Sequence, residues 1–486
     1  MVVFKMLDRC IGLVSTVILA RMLVPEDFGL VAMSMVIIAA LQLLVSFSFD
    51  VALIQNPKAG RDEFDTAWTF NVLFAIACGA VLALTAPLAA RFYSEPRLEL
   101  IIYVLAFGFV AQGLSNIGPV TFRRDMQFDR EFKFLISKRL STVLVTIPLA
   151  LYAQNYWALV IGQLAGTLLS VGLSYRVSSY RPRVSFKARQ ALFSTSKWLV
   201  VNNIVQFLNN SAAQFIIGRY AGAPTLGVYA IATEIATLPT TELVAPINRA
   251  AFPGYAKNAG DLAQLRISFL GVISSISLFA LPAGLGIVSV ADLLVPAVLG
   301  WKWMAAIPLI QILAVYGVIQ ALQTNIGYVY LALGNVRLNT MIGGVQSIIL
   351  LSLLFPAIHY WGGIGAAWAF LVTIILMIPV NQIMIARCLH LSTIELAKHL
   401  LRPFVSALVM ATAVFGLKSV LHLRPVTLDY LLALFACSAL GALVYTVTMY
   451  GLWRLAGFPA GPENFIFQKI ESILAKAGLK INLRRP

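Results

Sequence analysis

Apolar runs of about 20 residues, the length a helix needs to cross the hydrocarbon core of a bilayer, recur fourteen times along the chain and are separated by short polar breaks. They fall near residues 3–23, 28–49, 66–88, 98–117, 133–153, 156–178, 196–219, 225–251, 264–290, 303–330, 337–358, 363–387, 395–421 and 429–453. The longest breaks, around 118–132 and 179–195, leave no room for a catalytic domain outside the membrane. The pattern predicts an all-α polytopic membrane protein of about fourteen transmembrane helices.

Composition agrees: 60% of the 486 residues are hydrophobic and only 12% are charged, against roughly 25% charged in soluble domains. A net charge of +16 raises the question of nucleic acid, but the placement of the charges answers it. With the N-terminus inside, Lys5, Arg9, Lys58, Arg61, the cluster from Arg123 to Arg139, the run from Arg176 to Lys197 and the basic C-terminal tail share the cytoplasmic side. Only Arg21, Arg91, Arg97, Arg219, Lys302, Lys418 and Arg424 fall outside, which is the positive-inside bias of a multi-span membrane protein with both termini cytoplasmic. No nucleic-acid partner is implied. Cys10, Cys78, Cys388 and Cys437 lie in or at the ends of apolar spans without metal-type spacing and read as packing residues. The first span continues through Arg21 and thirteen more follow, so it reads as an uncleaved helix.

An internal repeat organises the spans. Ala20-Arg21 followed by Gly29-Leu30-Val31-Ala32 returns 198 residues on as Gly218-Arg219 followed by Gly227-Val228-Tyr229-Ala230. Leu105-Ala106, Gln112 and Leu114 return 208 residues on as Leu313-Ala314, Gln320 and Leu322, and Asn116-Ile117-Gly118 is answered by Asn325-Ile326-Gly327. The division that follows is a six-helix bundle over 1–190, its repeat over 191–390, two added helices over 391–455 and a tail over 456–486. Six is even, so both halves enter the membrane in the same direction, about an axis along its normal.

Polar residues inside spans are costly and mark cavities or partner helices when they share a face. In the seventh span Asn203, Gln206, Asn210 and Gln214 do so by steps of three, four and four. The repeat sets Lys5 against Asn203, Asp8 against Gln206, Gly12 against Asn210 and Thr16 against Gln214, with Gly12 leaving open space beside the stripe. These faces predict a polar cavity, the alternative being interhelical hydrogen bonding. Arg9 and Arg139 lie well inside their helices and are candidates to hold a phosphate. Glu234 and Glu242, spaced with Arg249 on one face of the eighth span, and Asp8 are candidates for H⁺ or Na⁺ coupling or for pairing with a cation. No other cofactor and no metal is expected. Pro148, Pro239, Pro246, Pro282, Pro308 and Pro379 permit bends. The tail from Pro462 spaces Ile470, Leu474 and Ala477 among Lys469, Lys476 and Lys480 as an interfacial amphipathic helix.

The stretch Leu19-Ala20-Arg21-Met22-Leu23-Val24-Pro25-Glu26-Asp27-Phe28-Gly29-Leu30-Val31-Ala32 resembles the opening signature of bacterial polysaccharide transport proteins in the multidrug/oligosaccharidyl-lipid/polysaccharide exporter superfamily. A second patch is similar: Ile217-Gly218-Arg219, Gly227-Val228-Tyr229, Leu238-Pro239, and Asn248-Arg249 before Phe252-Pro253. The resemblance implies two pseudosymmetric six-helix bundles in a V shape plus two helices, and a flippase moving undecaprenyl-diphosphate-linked oligosaccharide to the periplasmic leaflet by alternating access. By position, its cationic cavity would be lined by Lys5, Arg9, Asn203, Gln206 and Asn210. The chain departs from that pattern at Ala213, where an acid is common, and at Glu234, where a base is expected. Expected partners are the lipid-linked oligosaccharide, membrane lipids and a polysaccharide polymerase with its co-polymerase, and a single chain carrying its own pseudosymmetry is expected to act as a monomer. The competing readings are a cation-coupled drug antiporter of the same superfamily, a membrane-embedded polymerase or ligase, and a passive scaffold of the export complex.

Overall fold

A computed structural model describes residues 2–45, 53, 59–188, 197–459, 461 and 464. No strand occurs among the described residues. The helices are α1 (Val2–Met22), α2 (Pro25–Val45), α3 (Arg61–Tyr93), α4 (Arg97–Gly113), α5 (Val120–Arg124), α6 (Phe128–Ala153), α7 (Trp157–Val177), α8 (Lys197–Pro239), α9 (Ala245–Lys257), α10 (Leu262–Leu294), α11 (Ala306–Ala332), α12 (Val336–Leu389), α13 (Thr393–Val420) and α14 (Thr427–Leu455). Eight helical stretches among the described residues are long and apolar enough to cross a membrane.

Most predicted spans have one helix each, and the exceptions have local causes. Spans seven and eight run together in α8, and spans eleven and twelve in α12, each broken by one glycine: Gly222 at φ 78° and Gly362 at φ 56°. Side chains other than glycine rarely adopt such angles, so each glycine turns the chain between two spans without a loop. The third span extends well beyond its apolar core, since α3 has 33 residues, about 50 Å at 1.5 Å per residue. Its ends suit the helix dipole, with Asp62 and Glu63 in the first turn and Arg91 in the last, and the Gly60 N–H donates to Glu63 Oε2 at 2.9 Å. Hydropathy detects the hydrocarbon-facing part and misses these polar turns.

The chain forms two compact units, one of Met1–Ala230 with Leu354–Ala366 and the other of Ile231–Leu353 with Ala367–Pro486. In the first, α3 and α4 form a hairpin in which Gly79 seats against Val110, where an added Cβ would lie 3.4 Å from the Ala106 carbonyl oxygen. In the second, α10 and α11 repeat that seat: Gly284 meets Val318, with an added Cβ 3.3 Å from the Ala314 carbonyl oxygen. Ala106 and Ala314 are the repeat pair found in the sequence. The glycines fall out of its register because the second hairpin carries an extra π turn, Val295–Leu299, and a 3₁₀ turn, Trp301–Trp303.

The second unit's core gathers Phe269, Ile273, Tyr330, Ile385 and Leu389. The two C-terminal helices are packed into this unit, Ala407 of α13 against Leu281 and Val318, and Cys437 of α14 against Val290, Leu293 and Val414. All four cysteines are free; Cys78 and Cys437 are buried as packing residues would be, whereas Cys10 is exposed. The amphipathic tail read from Pro462 onward lies, apart from Asn464, outside the described residues.

Candidate functional site

In the first unit α1 and α6 pack together. Arg139, twelve residues into α6, reaches across to α1 and lays its guanidinium on the backbone of Gly12, where an added Cβ would collide with Nη2 and lie 3.4 Å from Cζ. The space that Gly12 was expected to leave open is therefore filled, and by a cation. Asp8, one turn before Gly12, lies 3.6 Å from Arg139 Nε, with the two side chains 42% and 39% exposed. At that distance and exposure the contact is a loose ion pair worth about 1 kcal/mol or less, so Asp8 serves Arg139 as a counter-ion. Arg9 is half-buried on the same helix. Asp8, Arg9 and Gly12 thus lie within two turns of α1, with Arg139 of α6 reaching Asp8 and Gly12. Lys5 is on α1, and its side chain lies outside the described residues.

Along α8 the stripe Asn203, Gln206, Asn210 and Gln214 changes character from one end to the other. Gln206 and Asn210 are exposed, Asn203 and Gln214 half-buried, and Ala213 and Ile217, farther along the same face, fully buried. The side chains of Gln206 and Asn210 make no hydrogen bond to any described residue. An unpartnered amide facing lipid tails would cost several kcal/mol. Asn209, off the stripe, instead donates to the Val205 carbonyl of its own helix at 3.1 Å.

The stripe closes at a crossing of α2 with α8. A Cβ on Gly29 would lie 2.5 Å from the carbonyl carbon of Ala223, and one on Gly227 would lie 2.8 Å from that of Pro25 and 2.9 Å from Gly29 N. Under the 198-residue repeat Gly29 corresponds to Gly227 and Pro25 to Ala223. The two contacts are therefore one contact seen twice, residue i on j′ and i′ on j, as a twofold axis requires of an isologous interface. Buried Ala20 and Gly218 are also repeat partners, and Gly218 packs against Tyr93 and Met33. Arg219 stacks 5.6 Å from the Phe92 ring centroid and 5.9 Å from that of Tyr220, a structural role for the residue that follows Gly218.

In the second unit Glu234 and Glu242 are both half-buried. Glu242 sits in a π turn, Thr240–Val244, that follows Pro239. A π turn takes in one extra residue. At 100° per residue it turns Ala245 and Arg249 by about 100° from where a straight helix would place them. The single straight face expected from Glu234 to Arg249 is accordingly broken at Glu242.

The sequence reading missed several polar pairs. Asn325 Oδ1 accepts from Tyr255 Oη at 2.9 Å, Asn381 Nδ2 donates to Gln323 Oε1, and Lys418 Nζ donates to Asp292 Oδ1 at 2.6 Å and to the Ser289 carbonyl at 2.8 Å. Asp65, 4% exposed, accepts from Tyr180 Oη at 2.6 Å and from the Arg183 N–H at 2.8 Å. Its signal was present in the sequence, an acid at the edge of an apolar span with no cation at helical spacing except Arg61.

Comparison with known proteins places the chain. It is 27% identical over 378 residues to the lipopolysaccharide biosynthesis protein WzxC of Escherichia coli (strain K12), covering 74% of each chain. It is likewise 27% identical over 383 residues to the teichuronic acid biosynthesis protein TuaB of Bacillus subtilis (strain 168), covering 77% of this chain and 78% of that one. Its fold resembles that of the lipid II flippase MurJ in an inward closed conformation, with a TM-score of 0.76 at 13% identity over 93% of this chain and 98% of that one. The model of the polysaccharide biosynthesis protein family matches residues 18–308, a stretch that includes the Arg21–Ala32 signature, both glycines of the crossing and the polar stripe of α8. This chain, a multi-span membrane protein, belongs to the polysaccharide biosynthesis protein family.

Proposed function

We propose that this protein is a flippase that carries an undecaprenyl-diphosphate-linked oligosaccharide across the bacterial inner membrane for surface-polysaccharide assembly. The observation that carries the reading is the pairing, within one unit of a family member, of a cation seated on Gly12 and exposed amides at Gln206 and Asn210 that have no hydrogen-bond partner among the described residues. A diphosphate needs cationic donors, and Arg139 and Arg9 offer guanidinium groups able to make two parallel hydrogen bonds. Sugar hydroxyls need groups that both donate and accept, as the Asn203, Gln206, Asn210 and Gln214 amides do. Lys5 adds charge at the same end of α1. Asp8 holds Arg139 in place until an anion competes for it.

Transport then needs no covalent chemistry, only alternating access of this polar face from the two sides of the membrane. Coupling to H⁺ or Na⁺ falls to Glu234 and Glu242, the latter in a π turn that a change of helical register can absorb. Both termini are cytoplasmic in this reading, the chain works as a monomer, and polymerase and co-polymerase take over its product.

The test is complementation of a deletion strain. Wild type should restore surface polysaccharide, and Arg139→Ala and Arg9→Ala should leave the lipid-linked unit accumulating on the cytoplasmic side. The drug-antiporter reading gains its support from the acids: unchanged polysaccharide with raised drug sensitivity in the deletion strain, reproduced by Glu234→Gln, would replace the flippase with it.

A further inference from the structure

Asn116-Ile117-Gly118 was singled out by the repeat, yet the transport reading makes no use of it. In the first unit it builds a pocket. Asn116, 5% exposed, donates from Nδ2 to the Tyr180 carbonyl at 2.6 Å and accepts at Oδ1 from the Gly118 N–H at 2.8 Å. Its own N–H donates to Ser174 Oγ at 2.9 Å. One side chain and its backbone thereby fix the loop after α4, the end of α7 and the extended segment that follows. Gly118 is required because a Cβ there would lie 2.9 Å from Tyr180 Cβ and 3.0 Å from Asn116 Oδ1. The far side of the segment is held by buried Asp65, and Ser185 N–H donates to Thr69 Oγ1 at 3.0 Å.

Between these elements lies a mainly polar, open pocket of about 540 Å³ whose lining includes Arg61, Thr121, Gln127, Arg130 and Arg181. No carboxylate is among its described lining residues. Asp65 stands behind Arg61 at 3.5 Å, and Arg181 Nη1 donates to the Ser178 and Tyr180 carbonyls at 2.7 and 2.9 Å, which fixes its position without neutralising it. The Arg130 guanidinium makes no ion pair among the described residues. The pocket opens where α3 and α6 begin and α7 ends, the end of the unit on which most of its Lys and Arg gather. Basic pockets at that level suit lipid phosphates. The counterpart Asn325-Ile326-Gly327 lies inside α11, with Asn325 tied to Tyr255, so the second unit does not repeat this construction.

We propose that this pocket binds the phosphate of a membrane lipid, at a site separate from the polar stripe of α8. The phosphate sits among Arg130, Arg181 and Arg61, with the Gln127 amide completing its shell. A phosphodiester headgroup and a polyprenyl diphosphate share this chemistry, and the experiment separates them.

The purified full-length protein is titrated with phosphatidylglycerol and with undecaprenyl diphosphate in neutral detergent, and bound lipid is counted by native mass spectrometry at two salt concentrations. Wild type should bind at least one of them, more weakly at high salt. Arg130→Ala/Arg181→Ala should bind it at least tenfold more weakly, while Arg91→Ala, a charge loss at the opposite end of α3, should match wild type. Loss of phosphatidylglycerol binding alone assigns a structural headgroup, and loss of undecaprenyl diphosphate binding alone assigns a docking point for transported lipid. Equal binding by wild type and the double variant, or equal weakening by Arg91→Ala, overturns the proposal. Retained thermal stability of the double variant excludes misfolding as the cause.

Discussion

The reciprocal glycine crossing makes a quantitative prediction. An alanine at Gly29 brings its methyl to 2.5 Å from the Ala223 carbonyl carbon and 2.9 Å from its Cα, both main-chain atoms that no rotamer change can move. Separating the two helices by the ångström or so required is an overpacking change, which costs about 1–3 kcal/mol in a close-packed interior. Gly227→Ala, against the Pro25 carbonyl carbon and Gly29 N, should cost about the same for the same reason. The informative quantity is their sum. Because the two contacts are halves of one interface, parting the helices for the first methyl makes room for the second. The double variant should therefore fall short of additivity by about 1–2 kcal/mol, within the range that residues sharing a contact display. Gly172→Ala on α7 is the control: nothing lies within 4 Å of its added Cβ, so it should be neutral or stabilising by about 0.5–1 kcal/mol. Thermal unfolding of the four purified variants, followed by tryptophan emission, reads the differences. Single variants that melt with Gly172→Ala, or a double variant whose loss equals the sum of the two singles, would refute a shared pseudo-twofold contact.

Three further outcomes are expected. Gly12→Ala should displace the Arg139 guanidinium and lower polysaccharide export severalfold while the melting temperature falls less than in Gly29→Ala, because a flexible side chain yields more easily than backbone; export at the wild-type level would separate Arg139 from function. Asp65→Asn removes the charge from two hydrogen bonds that hold the segment after α7, and since bonds to charged groups are worth about 1.5–3 kcal/mol each, trypsin should cut after Arg183 and Lys187 several times faster than in wild type. At the other end of the unit, the Arg97 hydrogen bonds hold the Glu95 carboxyl below its ordinary value. A carboxyl depressed by folding stabilises above its unfolded value of 4.5 and loses that stabilisation as pH falls through the lower folded value. Melting temperature should hence drop between pH 5 and 3, and drop less in Glu95→Gln.

The legible and illegible parts of this fold differ in what carries the information. The spans were legible because hydrocarbon imposes one length and one polarity on everything that crosses it. The repeat was legible because its marker residues, Arg21 and Arg219, Gly29 and Gly227, Ala106 and Ala314, sit where backbones cross or helices end, and such positions tolerate few side chains. Gly79 and Gly284 share that geometry but escaped notice, since the extra turns Val295–Leu299 and Trp301–Trp303 shift the spacing that a fixed offset requires. The π turn at Glu242 was hidden for the converse reason: the period of 3.6 residues assumes a regular helix, and nothing short of the backbone itself reports one extra residue in a turn.

The site was legible in its components and less so in its pairings. A polar stripe such as Asn203, Gln206, Asn210 and Gln214 is a property of one helix and can be read from one helix. The partnership of Arg139 with Gly12 joins residues 127 positions apart, and its only trace in the sequence is the absence of a side chain where a stripe should continue. Read as empty space, Gly12 weakened the match between the first and seventh spans; read as the seat of a cation, it restores that match. Asn210 supplies polarity with its own amide, and Gly12 supplies it by admitting a guanidinium from α6. The two repeat positions thus reach a polar surface by different routes, neutral in one half and charged in the other. On the proposed function, that asymmetry matches an amphiphile whose charged diphosphate and sugar hydroxyls call for different donors, which a strictly symmetric cavity would not offer.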